Sequence, residues 1–346
     1  MKLIQRNGSR AARLAASALA LAVVAGAAGI VAAQANAAPR VKAKLEQGVL
    51  RIQGSDASDK IALRLAAGEP GVLQVDVGDD GSADFSFERA DIATIAVNAG
   101  DGDDLVRFDE SNGAVNTSIP TTLRGGDGDD TLAGGSGAET LRGGDGSDSI
   151  DGNRGSDIGL MGDGDDTFVW DPGDGSDVVE GQDGRDTMVF NGAGGAEQFD
   201  LSANGNRLRF FRTQGTITMD TAGVERVDVP TLGGADLVTV NDLTGTDVSE
   251  VNVDLASTLG GATGDGQPDR IVVNATNAND TIDVSGDAGG VKVSGLAATI
   301  GILHSEAASI ASDRIEINTL AGTDSVDSGA LAAGAIQLFV DGVLVP

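Results

Sequence analysis

The chain has 346 residues, with 53 Asp plus Glu against 23 Lys plus Arg and a formal net charge of -30. So acidic a chain lacks the basic surface that meets phosphates, which argues against a nucleic-acid partner. With no Cys and a single His, the chain can form no disulfide, thiol nucleophile, Cys-ligated metal site or H-E-x-x-H protease motif.

The first segment of the chain has the features of an export signal. Cationic residues stand at the N-terminus, an apolar stretch covers 14–33, and the small residues Ala35-Asn36-Ala37 follow. This order is typical of a secretory signal peptide, here residues 1–37 with cleavage before Ala38. A membrane anchor is the alternative, because the apolar run is long enough to span a bilayer. We expect a secreted, extracellular protein, either released or attached to the cell surface. After cleavage it should have no membrane span.

Residues 38–120 predict an N-terminal β module. Apolar and polar residues alternate there between Gly, Asp and Asn clusters, which is the pattern of short strands joined by turns. The segment 75–87 contains acids at calcium-loop positions, but Gly78 and Phe87 replace required ligands, so a hairpin is the better interpretation. The stretch AGDGDD at 99–104 predicts a glycine turn in which Asp104 is a weaker candidate ligand for a cation.

The central block, within 121–190, is repetitive. From residue 125 to 189 the chain reads GGDGDDTLA, GGSGAETLR, GGDGSDSID, GNRGSDIGL, MGDGDDTFV, PGDGSDVVE and GQDGRDTMV, with Trp170 and Asp171 inserted before the sixth unit. These nonapeptides follow G-G-x-G-x-D-x-U-x, where U is a large apolar residue. That repeat is a sequence signature of a parallel β-helix that binds calcium.

The block resembles the RTX, or hemolysin-type, calcium-binding repeats of secreted bacterial proteins. The resemblance implies a parallel β-roll, in which G-G-x-G-x-D forms a turn and x-U-x forms a short strand. Two nonapeptides would then make one coil, so that residues 18 apart stack. This predicts two columns of side chains, one of Leu132, Ile150, Phe168 and Met188, and one of Leu141, Ile158 or Leu160, and Val179.

Oxygen atoms of the turns are the predicted calcium ligands, because carboxylates and carbonyls suit this hard cation, and several ions are expected. The carboxylates at position 6 are Asp130, Asp148, Asp157, Asp166, Asp177 and Asp186, and those at position 3 are Asp127, Asp145, Asp163, Asp174 and Asp183. The predicted carbonyl ligands belong to Gly125, Gly126, Gly128, Gly143, Gly144, Gly146, Gly162 and Gly164. Glu139 stands at position 6 of an irregular unit and is a weaker candidate.

Residues 191–346 predict further β modules related to the first. The segments GSDASDKIAL, AEQFDL and ATNANDTIDV begin three copies of a stretch of roughly 60 residues, at about 46–108, 188–243 and 268–328. Shorter glycine turns recur as GGAD at 233–236 and AGTD at 321–324. The whole chain is therefore predicted to be all-β, a parallel β-roll flanked by solenoid or sandwich-like β modules.

The predicted function is calcium binding coupled to folding outside the cell. Two alternatives remain open: a cell-surface structural or adhesive protein stiffened by calcium, and a parallel β-helix polysaccharide lyase. Because neither a G-x-S-x-G elbow nor a zinc-protease motif is present, we predict no enzymatic activity. Calcium ions are the expected partners, and the sequence identifies no protein or polysaccharide partner.

Overall fold

The structure is a computed structural model that describes residues 41–306 and 313–346, so the predicted signal peptide lies outside the described residues. Within these ranges the regular secondary structure is almost entirely β-strand, which confirms the all-β prediction. The helical elements described are three single-turn 3-10 segments, at Arg89–Asp91, Glu110–Asn112 and Gln214–Thr216. None of the described helices is long and apolar enough to cross a membrane.

Two large sheets face each other across the molecule. The first sheet has 15 strands. In spatial order they are β1 Lys42–Glu46, β2 Val49–Gln53, β6 Thr94–Asp101, β8 Thr121–Asp127, β10 Glu139–Asp145, β12 Ile158–Asp163, β14 Val178–Asp183, β18 Ile217–Ala222, β17 Arg207–Arg212, β16 Gln198–Asn204, β20 Leu237–Val240, β22 Arg270–Asn274, β26 Arg314–Asn318, β28 Gln337–Val340 and β29 Val343–Leu344.

The second sheet has 14 strands. They are, in spatial order, β27 Ser325–Leu331, β23 Thr281–Asp287, β24 Gly290–Ser294, β25 Thr299–Leu303, β21 Glu250–Asp254, β19 Arg226–Pro230, β15 Thr187–Phe190, β13 Thr167–Trp170, β11 Ser149–Asp151, β9 Thr131–Ala133, β7 Leu105–Asp109, β3 Lys60–Ala66, β4 Glu69–Val77 and β5 Phe85–Glu88. Both sheets run through the predicted module boundaries near residues 120 and 190.

In the central block the chain alternates between the two sheets, and each strand pairs in parallel with the strand one coil later. Leu132 lies opposite Ile150, Ile150 opposite Phe168, and Phe168 opposite Met188. The predicted column is therefore confirmed, including the shift caused by the two inserted residues. Because side chains alternate between the faces of a strand, these residues point inward and form a single core column on the second sheet.

The column on the first sheet differs from the prediction at one coil. Gly159, not Ile158 or Leu160, lies between Leu141 and Val179 in the register. A Cβ atom on Gly159 would lie 2.7 Å from Cε2 of Phe168, so the Phe168 ring occupies the space of the missing side chain. Ile158 points outward and is 41% exposed. The prediction of Ile158 or Leu160 in this column was wrong, because a large residue on the opposite sheet compensates for the glycine.

The three recurring segments outside the block each contain a three-stranded antiparallel meander inserted into an otherwise parallel sheet. The meanders are β3–β4–β5, β16–β17–β18 and β23–β24–β25. In the first of them, Val75 pairs with Phe85, so the hairpin prediction for 75–87 is confirmed. The insertions lengthen individual coils. Parallel strands flank the second and third meanders on both sides, whereas β5 of the first meander is the edge strand of its sheet.

Candidate metal centre

Three turns of the block, those that end at Asp130, Asp148 and Asp166, have positive φ values at two glycines. In the coil containing Asp148, Gly144 and Gly146 have φ values of +139° and +130°, a region that other residues rarely occupy. A Cβ atom on Gly144 would also lie 1.9 Å from the carbonyl oxygen of Gly126 in the preceding coil. Glycine therefore allows consecutive turns to stack with their carbonyl oxygens close to the next backbone.

A ladder of position-6 carboxylates connects these turns. The backbone N–H of Asp130 donates to Oδ1 of Asp148 at 2.8 Å, and that of Asp148 donates to Oδ1 of Asp166 at 2.7 Å. The Asp166 N–H donates in turn to Asp186 at 3.0 Å. Each carboxylate thus satisfies an amide of the coil before it. The predicted stacking of Asp130, Asp148 and Asp166 is confirmed.

The ladder extends beyond the nonapeptides at both ends. Asp59 donates its N–H to Oδ1 of Asp104 at 2.6 Å, and Asp104 donates to Asp130 at 2.8 Å. Beyond the block, the N–H of Asp186 donates to Oε2 of Glu225 at 2.8 Å. Asp104, a weaker candidate from sequence, is therefore a full member of the ladder, and Asp186 is an interior member.

A second ladder runs along the other row of turns in the block. Its members are Glu139, Asp157 and Asp177, joined by N–H donation from Glu139 to Asp157 at 2.7 Å and from Asp157 to Asp177 at 2.8 Å. Glu139 differs from the others in that both of its carboxylate oxygens accept hydrogen bonds, from Asn116 Nδ2 at 2.6 Å and from the Gly135 N–H at 2.9 Å. Protein donors therefore occupy both oxygens of this side chain.

In most ladder members the second carboxylate oxygen, Oδ2, is buried and has no hydrogen-bond partner among the described residues. Within the block this holds for Asp130, Asp148, Asp157, Asp166 and Asp186, and before the block it holds for Asp104. The free oxygen points into the turn. A Cβ atom on Gly125 would lie 1.9 Å from Oδ2 of Asp130, and one on Gly143 would lie 2.0 Å from Oδ2 of Asp148. In these two turns the first-position glycine thus provides the space that the carboxylate oxygen fills.

An unpaired buried carboxylate is unfavourable, and the pKa values reflect this. Burial raises the pKa of Asp130 and Asp186 to about 6, of Asp148 and Asp177 to about 7, and of Asp157 to about 8. Burial also raises the pKa of Asp166. Hydrogen bonds from the preceding coil oppose this effect without cancelling it. The free oxygens therefore need either a proton or a cation.

The position-3 carboxylates lie elsewhere. Asp127, Asp145, Asp163 and Asp183 pair in register along the edge of the first sheet, and their side chains are exposed. Asp174 is half-buried and accepts a hydrogen bond from the Asp171 N–H at 2.6 Å, and burial raises its pKa to about 6. Asp127, Asp145, Asp163 and Asp183 thus form an outer acidic rim, separate from the buried ladder oxygens, whereas Asp174 lies in the turn of Asp177 in the other row.

The donor set fits a hard cation held mainly by oxygen atoms of the backbone. In the described parts of the chain, no three or more His, Asp or Glu side chains converge as a metal cluster. Each turn instead combines one free carboxylate oxygen with stacked glycine carbonyls, such as those of Gly126, Gly128 and Gly144, which lie against the next turn. Ca²⁺ accepts six to eight oxygen ligands, carbonyls included, in flexible geometry.

A third ladder, in the C-terminal part of the chain, was not predicted. It joins Glu197, Asp236, Asp269 and Asp313. The motif GGAD carried a weak signal for Asp236. At 264–269, GDGQPD has one residue more than the G-x-G-x-D turn, which conceals Asp269 from a pattern of fixed length.

Comparison with known proteins gives little further information. No protein-family model and no curated protein matches the sequence. Among solved structures, the chain is similar to the extracellular lipase LipA from Serratia marcescens, with 11% identity and a TM-score of 0.20. The match covers 61% of this chain and 42% of the lipase, so the chain spans less than half of that protein.

The prediction that the chain has no enzymatic activity is corrected by this match, since the matched protein is a lipase. That prediction depended on missing local motifs, whereas catalytic residues can be distant in sequence and meet only in the fold. A likeness at this TM-score assigns no reaction to the chain.

Proposed function

We propose that this chain is a secreted, RTX-type calcium-binding protein whose central roll folds when calcium binds in its turns. The observation that supports the proposal best is the row of buried, unpaired Oδ2 atoms, one to a turn, at Asp130, Asp148, Asp157, Asp166 and Asp186. Neutral partners occupy the other oxygen of each carboxylate. Buried negative charges that repeat in this way are strongly destabilising unless a positive charge lies beside each of them.

The proposed ligands of each turn are the free position-6 oxygen and the carbonyls of the stacked glycines. Asp177 belongs to the same set by its place in the second ladder. Glu139 is omitted, since both of its oxygens already accept hydrogen bonds. The exposed rim carboxylates, such as Asp145 and Asp163, would raise the local cation concentration without entering the turn.

Bound calcium would supply the positive charge that the buried carboxylates lack. The core column of the block is one side chain wide on each sheet, and ordering the backbone costs about 1–2 kcal/mol per residue. Binding to the folded form alone would stabilise the roll by mass action at each site. Extracellular calcium modules commonly have dissociation constants of about 10⁻⁴–10⁻³ M, so such a roll would be unfolded in calcium-poor cytoplasm and folded after export.

Export itself is proposed on the sequence of residues 1–37, which lie outside the described residues. The described part of the chain contains no membrane-spanning helix. Mass spectrometry of the mature protein from the culture medium tests this proposal. A chain beginning at Ala38 is expected, and an uncleaved chain in the membrane fraction would contradict it.

The folding proposal is tested on the chain from Ala38 by circular dichroism and by fluorescence of Trp170. This residue is the single Trp of the sequence. Its ring stacks on Phe190 at 3.9 Å, and its Nε1 donates to the Gly175 carbonyl at 2.8 Å. Added CaCl₂ should therefore shift its emission to the blue and increase the β signal.

Mg²⁺ is the matched control cation, because it requires near-octahedral geometry and retains its waters. It should produce little of either change at the same concentration. A roll with full β signal and buried Trp170 in EGTA would contradict the coupling of folding to calcium.

A further inference from the structure

The C-terminal ladder has the same hydrogen-bond pattern as the ladders of the block. Glu197 donates its N–H to Oδ1 of Asp236 at 2.7 Å, Asp236 donates to Asp269 at 2.8 Å, and Asp269 donates to Asp313 at 2.9 Å. These residues are 33 to 44 positions apart in sequence, because the coils here carry long insertions. The spatial repeat persists where the sequence repeat is lost.

Protein donors close this ladder at its two ends. The carboxylate of Glu197 accepts hydrogen bonds from the Ala193 N–H and from the guanidinium of Arg212. At the other end, Asp313 accepts the N–H of Asp269 on Oδ1 and that of Glu306 on Oδ2, the latter at 2.6 Å. Neither terminal carboxylate has an oxygen left for a cation.

Asp236, between the two ends, is different. Its side chain is 2% exposed, and its Oδ2 has no hydrogen-bond partner among the described residues. The Thr231 hydroxyl donates to the carbonyl oxygen of Asp254 at 3.3 Å, and it also lies close enough to the Asp236 carboxylate to oppose the rise in pKa that burial causes there. A buried carboxylate oxygen is thus left unpaired, as in the turns of Asp130 and Asp148.

The backbone around Asp236 also repeats the turn of the block. Leu232 and Gly234, four and two residues before the acid, have φ values of +67° and +121°. In the Asp148 turn, the same two positions are held by Gly144 and Gly146, which also have positive φ. Residues 231–236 therefore repeat the nonapeptide turn with its fourth-position glycine, Gly234, and with Leu232 in place of the second-position glycine.

We propose that the turn 231–236 is a further calcium site, outside the nonapeptide repeats, in which Oδ2 of Asp236 and oxygens of the turn bind one ion. This inference rests on the oxygen chemistry of the proposed function, but the residues are different. It assigns a ligand role to the C-terminal part of the chain, which would then be stabilised by calcium independently of the central block.

The test is a calcium titration by calorimetry on the chain from Ala38, comparing wild type with Asp236→Asn. The substitution keeps an acceptor for the Glu197 N–H and removes the charge at Oδ2. We expect the variant to bind one calcium ion fewer than wild type. The matched control is Asp324→Asn, since Asp324 accepts the Asp280 N–H at 2.8 Å but is only half-buried. This control should retain the wild-type number of ions, and an unchanged number in Asp236→Asn would overturn the inference.

Hydrogen exchange of the wild-type chain, with and without CaCl₂, gives a second test that does not depend on the variant's folding. Calcium should slow exchange in peptides covering 231–240. Peptides from 125–189 report separately on the proposed function, so the failure of either proposal is visible by itself. No change at 231–240 alongside slowing at 125–189 would overturn the inference and leave the proposed function intact.

Discussion

Two kinds of turn occur in this solenoid, and they differ in what occupies the second carboxylate oxygen. In open turns, such as those of Asp130 and Asp148, Oδ2 is buried and unpaired. In closed turns, that oxygen accepts the N–H of the residue four positions earlier in the chain. This occurs at Asp59, Glu139, Glu197 and Asp280, with donors Ser55, Gly135, Ala193 and Thr276.

Each of these four turns holds the first acid of a ladder, and in the ladder of Asp280 the second acid is Asp324. Asp313, the last acid of its ladder, is closed by the Glu306 N–H. A first acid receives no N–H from an earlier member of its ladder, and the chain supplies a local donor instead. The ladder hydrogen bond alone therefore does not distinguish a proposed metal ligand from a structural cap. Both kinds of turn make that bond with the following coil, so the free second oxygen is the feature that separates a proposed metal ligand from a structural cap.

The open turns should make the stability of the folded roll depend strongly on pH. The open-turn carboxyls have folded pKa values of about 6 for Asp130, 7 for Asp148 and 8 for Asp157, above the unfolded value of about 3.9. Their contribution to stability is therefore complete below the unfolded pKa and is lost as the pH rises through 6–8. Each group can change the free energy of unfolding by up to about 1.4 kcal/mol per pH unit.

Without calcium, the roll should be folded at about pH 5, where protons neutralise the open-turn carboxyls, and should lose its melting transition as the pH rises to about 8. Saturating CaCl₂ should keep the roll folded across this range. Scanning calorimetry at constant ionic strength measures both. Asp130→Asn, Asp148→Asn and Asp157→Asn combined should flatten the calcium-free profile. A profile as steep in this variant as in wild type would mean that the open turns do not cause it.

The close stacking of the open turns should also contribute to the free energy of unfolding. Gly144→Ala places a methyl group 1.9 Å from the Gly126 carbonyl oxygen, at a φ of +139°. Strain and overlap together should lower the free energy of unfolding in calcium by roughly 3–5 kcal/mol. Gly173→Ala is the matched control, because its φ is +125° and nothing lies within 4 Å of the added methyl. It should cost only about 1–2 kcal/mol, and equal losses in urea titrations would show that the stacking is not tight.

A smaller change in calcium affinity should separate one open turn, that of Asp148, from one closed turn, that of Glu139. Asp148→Asn removes charge from an unpaired oxygen and should weaken calcium binding by about tenfold. Glu139→Gln turns one acceptor oxygen into a donor against Asn116 or Gly135, so it should lower the melting temperature. It should leave the number and affinity of bound calcium ions unchanged. Calcium titrations of both variants decide the matter, and a loss of affinity in Glu139→Gln would remove the distinction between the two kinds of turn.

Local sequence determined much of this fold. The nonapeptide period places Leu132, Ile150 and Phe168 in one column, and the inserted Trp170 and Asp171 shift the register by two residues, as the structure confirms. These features follow from contacts between neighbouring coils of constant length. Glycine turns and the alternation of side chains each involve a few adjacent residues, so the sequence alone shows them. The period and the register follow from the same residues.

Which acids remain free depends on contacts between distant parts of the chain. Glu139 has the position of a ligand, yet the Gly135 N–H takes one of its oxygens, and the Asn116 amide, 23 residues earlier, takes the other. Gly159 leaves a gap in one column that Phe168 fills from the other sheet. Asp236 meets Glu197 and Asp269 across 39 and 33 residues, because inserted meanders lengthen these coils irregularly. A fixed period cannot show such pairings, since the number of residues in a coil varies while the spacing between stacked strands does not.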